Sequence, residues 1–241
     1  MPQLMREILL FALAPAIAVI AGGAVAAYRP PGVAVRSAIQ HFAAGVLFCA
    51  LATELLPDVV HRRLPVVTIG GFALGVAVML GMKWFAERAG QKGVEQARQP
   101  TSLLLALAVD ITLDGLLIGV GFAAGAKQGM LLTIAITLEV LFLGISGAVA
   151  LGGAGASRTR IIATTSGLAV VLLAGASAGG LFLTGASGVV LDAVLSFGLA
   201  ALLYLVTEEL LVEAHEAPET PLLTAMFFFG FIVLLVIEML V

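Results

Sequence analysis

The chain has 241 residues and a formal net charge of −3, and it is 61% hydrophobic with only 11% charged residues. Soluble domains carry about 25% charged residues, so a water-facing surface is excluded, and the negative balance excludes nucleic acid as a natural partner. Cys49 is the single cysteine, which excludes a disulfide framework and a thiolate metal centre.

Apolar runs of about the ~20 residues needed to cross a ~30 Å hydrocarbon core recur from end to end, without sustained period-two alternation. With the bilayer as solvent the backbone must satisfy its own hydrogen bonds, and the pattern predicts an all-α membrane protein of eight spans. Helix 1 covers roughly 7–28 and stops at Tyr28-Arg29-Pro30-Pro31-Gly32. Arg6, the apolar run and Ala24-Val25-Ala26 also fit a cleavable signal peptide, which would leave seven helices. Helix 2, roughly 37–60, ends at His61-Arg62-Arg63, and helix 3 covers roughly 65–86. The longest polar stretch, Glu87 to Pro100, follows. Helices 4 and 5, roughly 102–126 and 129–152, are parted only by Lys127 and Gln128, which predicts a tight antiparallel hairpin. Helices 6, 7 and 8 cover roughly 161–184, 189–214 and 220–241. The 28 glycines read mainly as places of close helix approach, because lipid supplies no hydrophobic drive for helix association.

Orientation follows from the basic residues. With both termini outside, the inner loops hold Arg29, Arg36, Lys83, Arg88, Lys92, Arg98, Arg158 and Arg160, against Arg6, Arg62, Arg63 and Lys127 on the outer side. Helix 2 then runs outward and helix 7 inward. Helix 2 carries Glu54-Leu55-Leu56-Pro57-Asp58, and helix 7 carries Glu209-Leu210-Leu211-Val212-Glu213. Similar sequences in opposite directions are the mark of inverted repeats, here helices 1–3 and 6–8 around the central pair 4 and 5.

Charges at bilayer depth cost roughly 2.5–3.5 kcal/mol each on insertion scales, so they ask for a reason. Asp110 and Asp114, four residues apart, share one face near the middle of helix 4, and Glu139 lies near the middle of helix 5 alongside. No Lys or Arg lies at similar depth. Like charges this close share protons or share a cation. Glu54 and Asp58 toward the outer end of helix 2, with Glu208, Glu209 and Glu213 toward the inner end of helix 7, extend these acids into a vertical cation path. Pro57 is expected to bend helix 2 and free carbonyls beside that path. His41, His61 and His215 fall near helix ends, where solvated histidines are expected; His61 and His215 are also placed to gather ions at the two mouths. Asp192 and Glu238 read as interfacial.

The run His41-Phe42-Ala43-Ala44-Gly45-Val46-Leu47 through Glu54-Leu55-Leu56-Pro57-Asp58 resembles the second helix of the ZIP (Zrt/Irt-like) metal transporters. Asp110-Ile111-Thr112-Leu113-Asp114-Gly115 and the stretch from Tyr204 to Glu213 resemble helices 4 and 7 of the same family. The resemblance implies eight helices with both termini outside and passage of zinc, iron, manganese or related ions into the cytoplasm, through a site between helices 4 and 5. It also marks departures. Asp110 stands where the family has a histidine, Ile111 and Val140 replace polar positions, and Leu143 replaces an acid. No acid stands near Val170, and Glu54 takes the position of a helix 2 histidine. Asp110, Asp114 and Glu139 thus keep one oxygen-only site while the adjacent site has lost its donors. Such a site suits manganese, magnesium or iron(II) better than zinc.

The leading expectation is therefore divalent-cation transport with a single central site. Alternatives are a proton-coupled or small-solute transporter on the same fold, or a non-transporting membrane partner with a decayed site. An enzyme is not expected, since no serine or cysteine shows a partnered base. No resident cofactor is expected; the partners are the lipid bilayer, the ion as substrate and, among the oligomeric states left open, a homodimer. The setting is a multi-pass protein of the plasma or inner membrane.

Overall fold

The computed structural model of the chain describes residues 2–91, 100–183, 186, 188–215, 218 and 220–240. Among these all regular structure is helical, and eight helices are long and apolar enough to cross a membrane. They are α1 (Pro2–Tyr28), α2 (Val33–Arg62), α3 (Pro65–Gln91), α4 (Pro100–Ala124), α5 (Ala126–Gly153), α6 (Arg158–Leu183), α7 (Gly188–Ala214) and α8 (Pro221–Leu240). The chain is a multi-pass membrane protein. Residues 92–99 of the polar stretch after α3, with Lys92 and Arg98, lie outside the described residues.

Proline opens α3, α4 and α8, where its missing N–H costs nothing. α2 ends at Arg63 in the left-handed conformation, φ 54°, so the chain turns straight into Pro65. The α4–α5 turn is tighter than the sequence predicts. Gly125 alone forms it, and Lys127 and Gln128 belong to the first turn of α5.

Two helices change pitch midway. Leu51–Leu55 of α2 and Leu205–Leu210 of α7 are single π-helical turns. In α2 the cause is local: Pro57 has no N–H to donate and its ring crowds the carbonyl four residues back, so the ladder slips by one residue. α7 has no proline there. Both turns carry a threonine whose hydroxyl donates to the carbonyl four residues earlier, Thr53 to Cys49 and Thr207 to Leu203, each at 2.9 Å.

The helices sort into two packed groups. α1, α4, α5 and α6 pack on one another, with α4 against α6 and α1 against both α5 and α6. In the second group α2 packs on α8, α3 on α7, and α2 on α7. α2 also meets α5 across the seam. The start of α2 lies on the end of α7, with Ser37 Oγ donating to the Ala214 carbonyl at 2.7 Å, and the end of α2 lies on the start of α7. These two helices are therefore antiparallel.

Glycine sets the closest approaches in the first group. A Cβ at Gly115 would lie 2.2 Å from the Leu172 carbonyl oxygen, and one at Gly175 would lie 2.5 Å from that of Thr112. Between α1 and α5, a Cβ at Gly22 would lie 2.3 Å from the Leu141 oxygen and one at Gly144 would lie 2.4 Å from that of Val19. No side chain fits in either seam, so van der Waals contact between backbones replaces the missing hydrophobic drive.

Candidate metal centre

The α4–α5 hairpin brings the three predicted acids together. One oxygen from each of Asp110, Asp114 and Glu139 lies within 4.8 Å of the other two. Asp110 and Asp114 are buried, and Glu139 is 0% exposed. Four-residue spacing stacks the two aspartates on one face of α4, and the single-residue turn at Gly125 sets α5 beside that face. Asp114 Oδ2 and both carboxylate oxygens of Glu139 are buried without a hydrogen-bond partner. The charged groups acting on the three are acids, namely one another, Glu209 and, on Asp110, also Glu213.

Acids this close can share protons or share one cation. Two oxygens holding the same hard cation at about 2.0–2.6 Å are at most roughly 4–5 Å apart, which matches the cluster. Ile111 and Val140 flank it, both fully buried, and neither offers a donor. Leu143 packs against the core beside them. Val170 is a different matter. It is 66% exposed on the outward side of α6, so it does not border the site. The face of α6 toward α4 presents Leu172, Gly175, Ala176 and Gly179 instead.

The remaining path residues divide. Glu54 is buried in the π-turn of α2. Asp58 is tied to Arg62 at 3.1 Å and Glu208 to Lys83 at 3.1 Å, so both are half-exposed ion pairs rather than open ligands. Glu209, one residue on, sits where its charge is felt by all three central acids. Glu213 accepts a hydrogen bond from Gln40 Nε2 at 2.7 Å. His61 is exposed, with Nδ1 2.7 Å from the Pro57 carbonyl. His215 is exposed and bonds the Leu211 carbonyl.

Two residues read as surface groups are in fact buried. His41 is 4% exposed, 2.9 Å from the Ser37 carbonyl through Nδ1, with its ring edge-on to His215 at 5.2 Å between centroids. The polar run Ser37, Gln40, His41, spaced three and four residues apart, carried this signal as one face of α2 turned toward α7. Asp192 is 0% exposed, in the seam between α3 and α7.

No protein-family model matches the chain, and no curated protein matches it significantly. Function has to be read from the site.

Proposed function

We propose that the protein transports divalent metal cations across a membrane through one oxygen-lined central site formed by Asp110, Asp114 and Glu139. One observation carries this reading: three buried carboxylates converge at mid-helix, Asp114 and Glu139 with oxygens that have no hydrogen-bond partner, and among the described residues the charged groups acting on them are acids. Leaving such groups unmatched in a low-dielectric interior is costly, and a cation passing between them removes the cost. Glu54 on the outer side and Glu209 and Glu213 on the inner side continue the donors along α2 and α7, with His61 and His215 at the mouths. The resemblance to the ZIP family implies flow into the cytoplasm. The residues of α2, α4 and α7 quoted above support membership of the ZIP family.

Helices 1–3 and 6–8 as inverted repeats are supported by the packing. Exchanging α1 with α6, α2 with α7, α3 with α8 and α4 with α5 turns the α1–α5 contact into α6–α4 and the α2–α8 contact into α7–α3. The same exchange pairs Val19 and Gly22 with Leu172 and Gly175, and Thr112 and Gly115 with Leu141 and Gly144, all at the glycine contacts. It sets Asp110 opposite Glu139 and one π-turn opposite the other.

The donor set is oxygen alone, and Ile111 and Val140 deny a second ion its ligands. One ion per chain follows, with manganese or iron(II) competing against zinc better than at a histidine site. The test is uptake into proteoliposomes across a panel of divalent ions, with anomalous diffraction to count bound metal. One central peak and uptake abolished in Asp114→Asn are expected. Two full peaks between α4 and α5 would refute the single site. No uptake of any divalent ion would turn the reading to protons or an organic solute on the same carboxylates.

A further inference from the structure

The seam between α3 and α7 holds a second set of buried oxygens that the central site does not use. Asp192 and Ser196 stand four residues apart on one face of α7, and each is 0% exposed. Among the described residues Asp192 Oδ1 and Ser196 Oγ have no hydrogen-bond partner. The other carboxylate oxygen of Asp192 lies 3.1 Å from Thr68 Oγ1 on α3. That hydroxyl is also 3.1 Å from the Leu64 carbonyl, and its one hydrogen cannot serve both acceptors. The Leu64 carbonyl already accepts the Thr68 backbone N–H at 2.9 Å, and Asp192 has no ion-pair partner among the described residues. Leu195, one turn along α7 from Asp192, packs with Val59, Val120 and Leu183. The two helices are held together just inside this point. A Cβ at Gly71 would lie 2.4 Å from the Ala193 carbonyl oxygen and 3.0 Å from Ser196 Cβ.

We propose that Asp192, Ser196 and Thr68 bind one monovalent metal cation of the sodium class, bridging α3 and α7. The set carries a single negative charge, so one positive charge closes it, whereas a divalent ion would leave a net charge buried in apolar surroundings. Every donor is a hard oxygen, from a carboxylate and two hydroxyls, with the Leu64 carbonyl adjacent. The cation binds Asp192 Oδ1 and Ser196 Oγ, the two atoms now without partners, and frees the Thr68 hydrogen for the Leu64 carbonyl. The site belongs to the second helix group and stands independently of divalent transport through the central acids.

The experiment is thermal unfolding of the detergent-solubilised full chain, followed by circular dichroism as sodium chloride replaces choline chloride at constant ionic strength. Linkage makes the midpoint rise with a saturating cation, and a shift of about 3–5 °C is expected at ten or more times the dissociation constant. Potassium chloride should give a smaller rise. Asp192→Asn keeps the side-chain volume and an acceptor for Thr68 but removes the charge, and its midpoint should not respond to sodium. Asp114→Asn, in the central cluster, should keep the full response. Ser196→Ala, the gentler change should Asp192→Asn fail to fold, should weaken the apparent sodium affinity about tenfold. A wild-type midpoint that ignores sodium, or an equal rise in Asp192→Asn, would overturn the site. So would a midpoint that rises only on acidification in wild type and not in Asp192→Asn, because a proton would then be the cation.

Discussion

Replacing Glu139 by glutamine separates a ligand from a packing residue, because the two roles move the protein in opposite directions. The amide keeps the volume of a side chain that is 0% exposed and removes the charge from a carboxylate with both oxygens unpartnered. In the metal-free protein this relieves part of a charge cost of roughly 2.5–3.5 kcal/mol per buried acid. A gain of about 1–3 kcal/mol should appear as a thermal midpoint higher by a few degrees, at roughly 2–4 °C per kcal/mol for a chain of this size. In the metal-bound protein the same change removes one of three charged ligands. Losing one partner of a buried charged pairing costs about 3–5 kcal/mol, or roughly 10²–10⁴-fold in affinity. The assays are a melt in chelator, a melt with manganese, and uptake into proteoliposomes. Glu139→Gln is expected to melt higher without metal, to lose the stabilisation by metal and to take up less than a hundredth of the wild-type flux. Uptake within threefold of wild type, or a lower metal-free midpoint, would refute the reasoning.

Three further outcomes are expected. Gly115→Val should destabilise the fold by about 1–3 kcal/mol by overpacking and weaken metal binding as well, since its Cβ would meet the Leu172 carbonyl oxygen at 2.2 Å and push α4 off α6; normal binding in a folded Gly115→Val protein would show that the backbone contact does not hold the acids in register. Protons compete with metal for the same oxygens, so divalent uptake should fall as the medium is acidified at fixed metal; a flat profile from neutral to mildly acid pH would remove the carboxylates from the path. On a Cys49→Ala background, a cysteine in place of Lys92 should react with a membrane-impermeant thiol reagent only from the cytoplasmic side, and labelling from outside would reverse the assigned direction of flow.

The spans were legible because their apolar runs are bounded by chemistry that backbones obey, such as Pro30-Pro31-Gly32 ahead of α2 and Pro65, Pro100 and Pro221 at helix starts. The errors lie where polarity misleads. Lys127 and Gln128 look like a loop, yet the residue that breaks the helix is Gly125, and polar side chains at a membrane surface are content in a first helical turn. α3 likewise runs on to Gln91, beyond the apolar part of the sequence. The central acids were legible for a stronger reason. Asp110 and Asp114 share a face by spacing alone, and the short connection to α5 sets Glu139 at the same depth alongside. What spacing does not tell is which face of an all-round apolar helix meets lipid and which meets protein. For that reason spacing does not show that Val170 lies 66% exposed while Asp192 and His41 lie buried. Beside the polar run on α2, glycine is a signal for those faces, and it becomes readable only in pairs, since Gly115 and Gly175 mark a seam only once α4 is known to lie on α6.

The division into two helix groups gives the proposed path its physical problem. All three acids of the proposed centre stand on α4 and α5, which belong to the first group, whereas Glu54, Glu209 and Glu213 stand on α2 and α7, which belong to the second. An ion handed from Glu54 to the centre and on to Glu209 must cross the seam between the groups twice. Within the first group the glycine contacts allow no play, because Gly115, Gly175, Gly22 and Gly144 put backbone against backbone. The seam is built differently: α2 meets α5 there, and the π-turns of α2 and α7, with one ladder bond displaced in each, flank the crossing. Under the proposed function the first group fixes the geometry of binding, and adjustment during passage falls to the seam. Substitutions in the seam that leave Asp110, Asp114 and Glu139 untouched should accordingly change the rate of uptake while the equilibrium affinity for metal stays as it was.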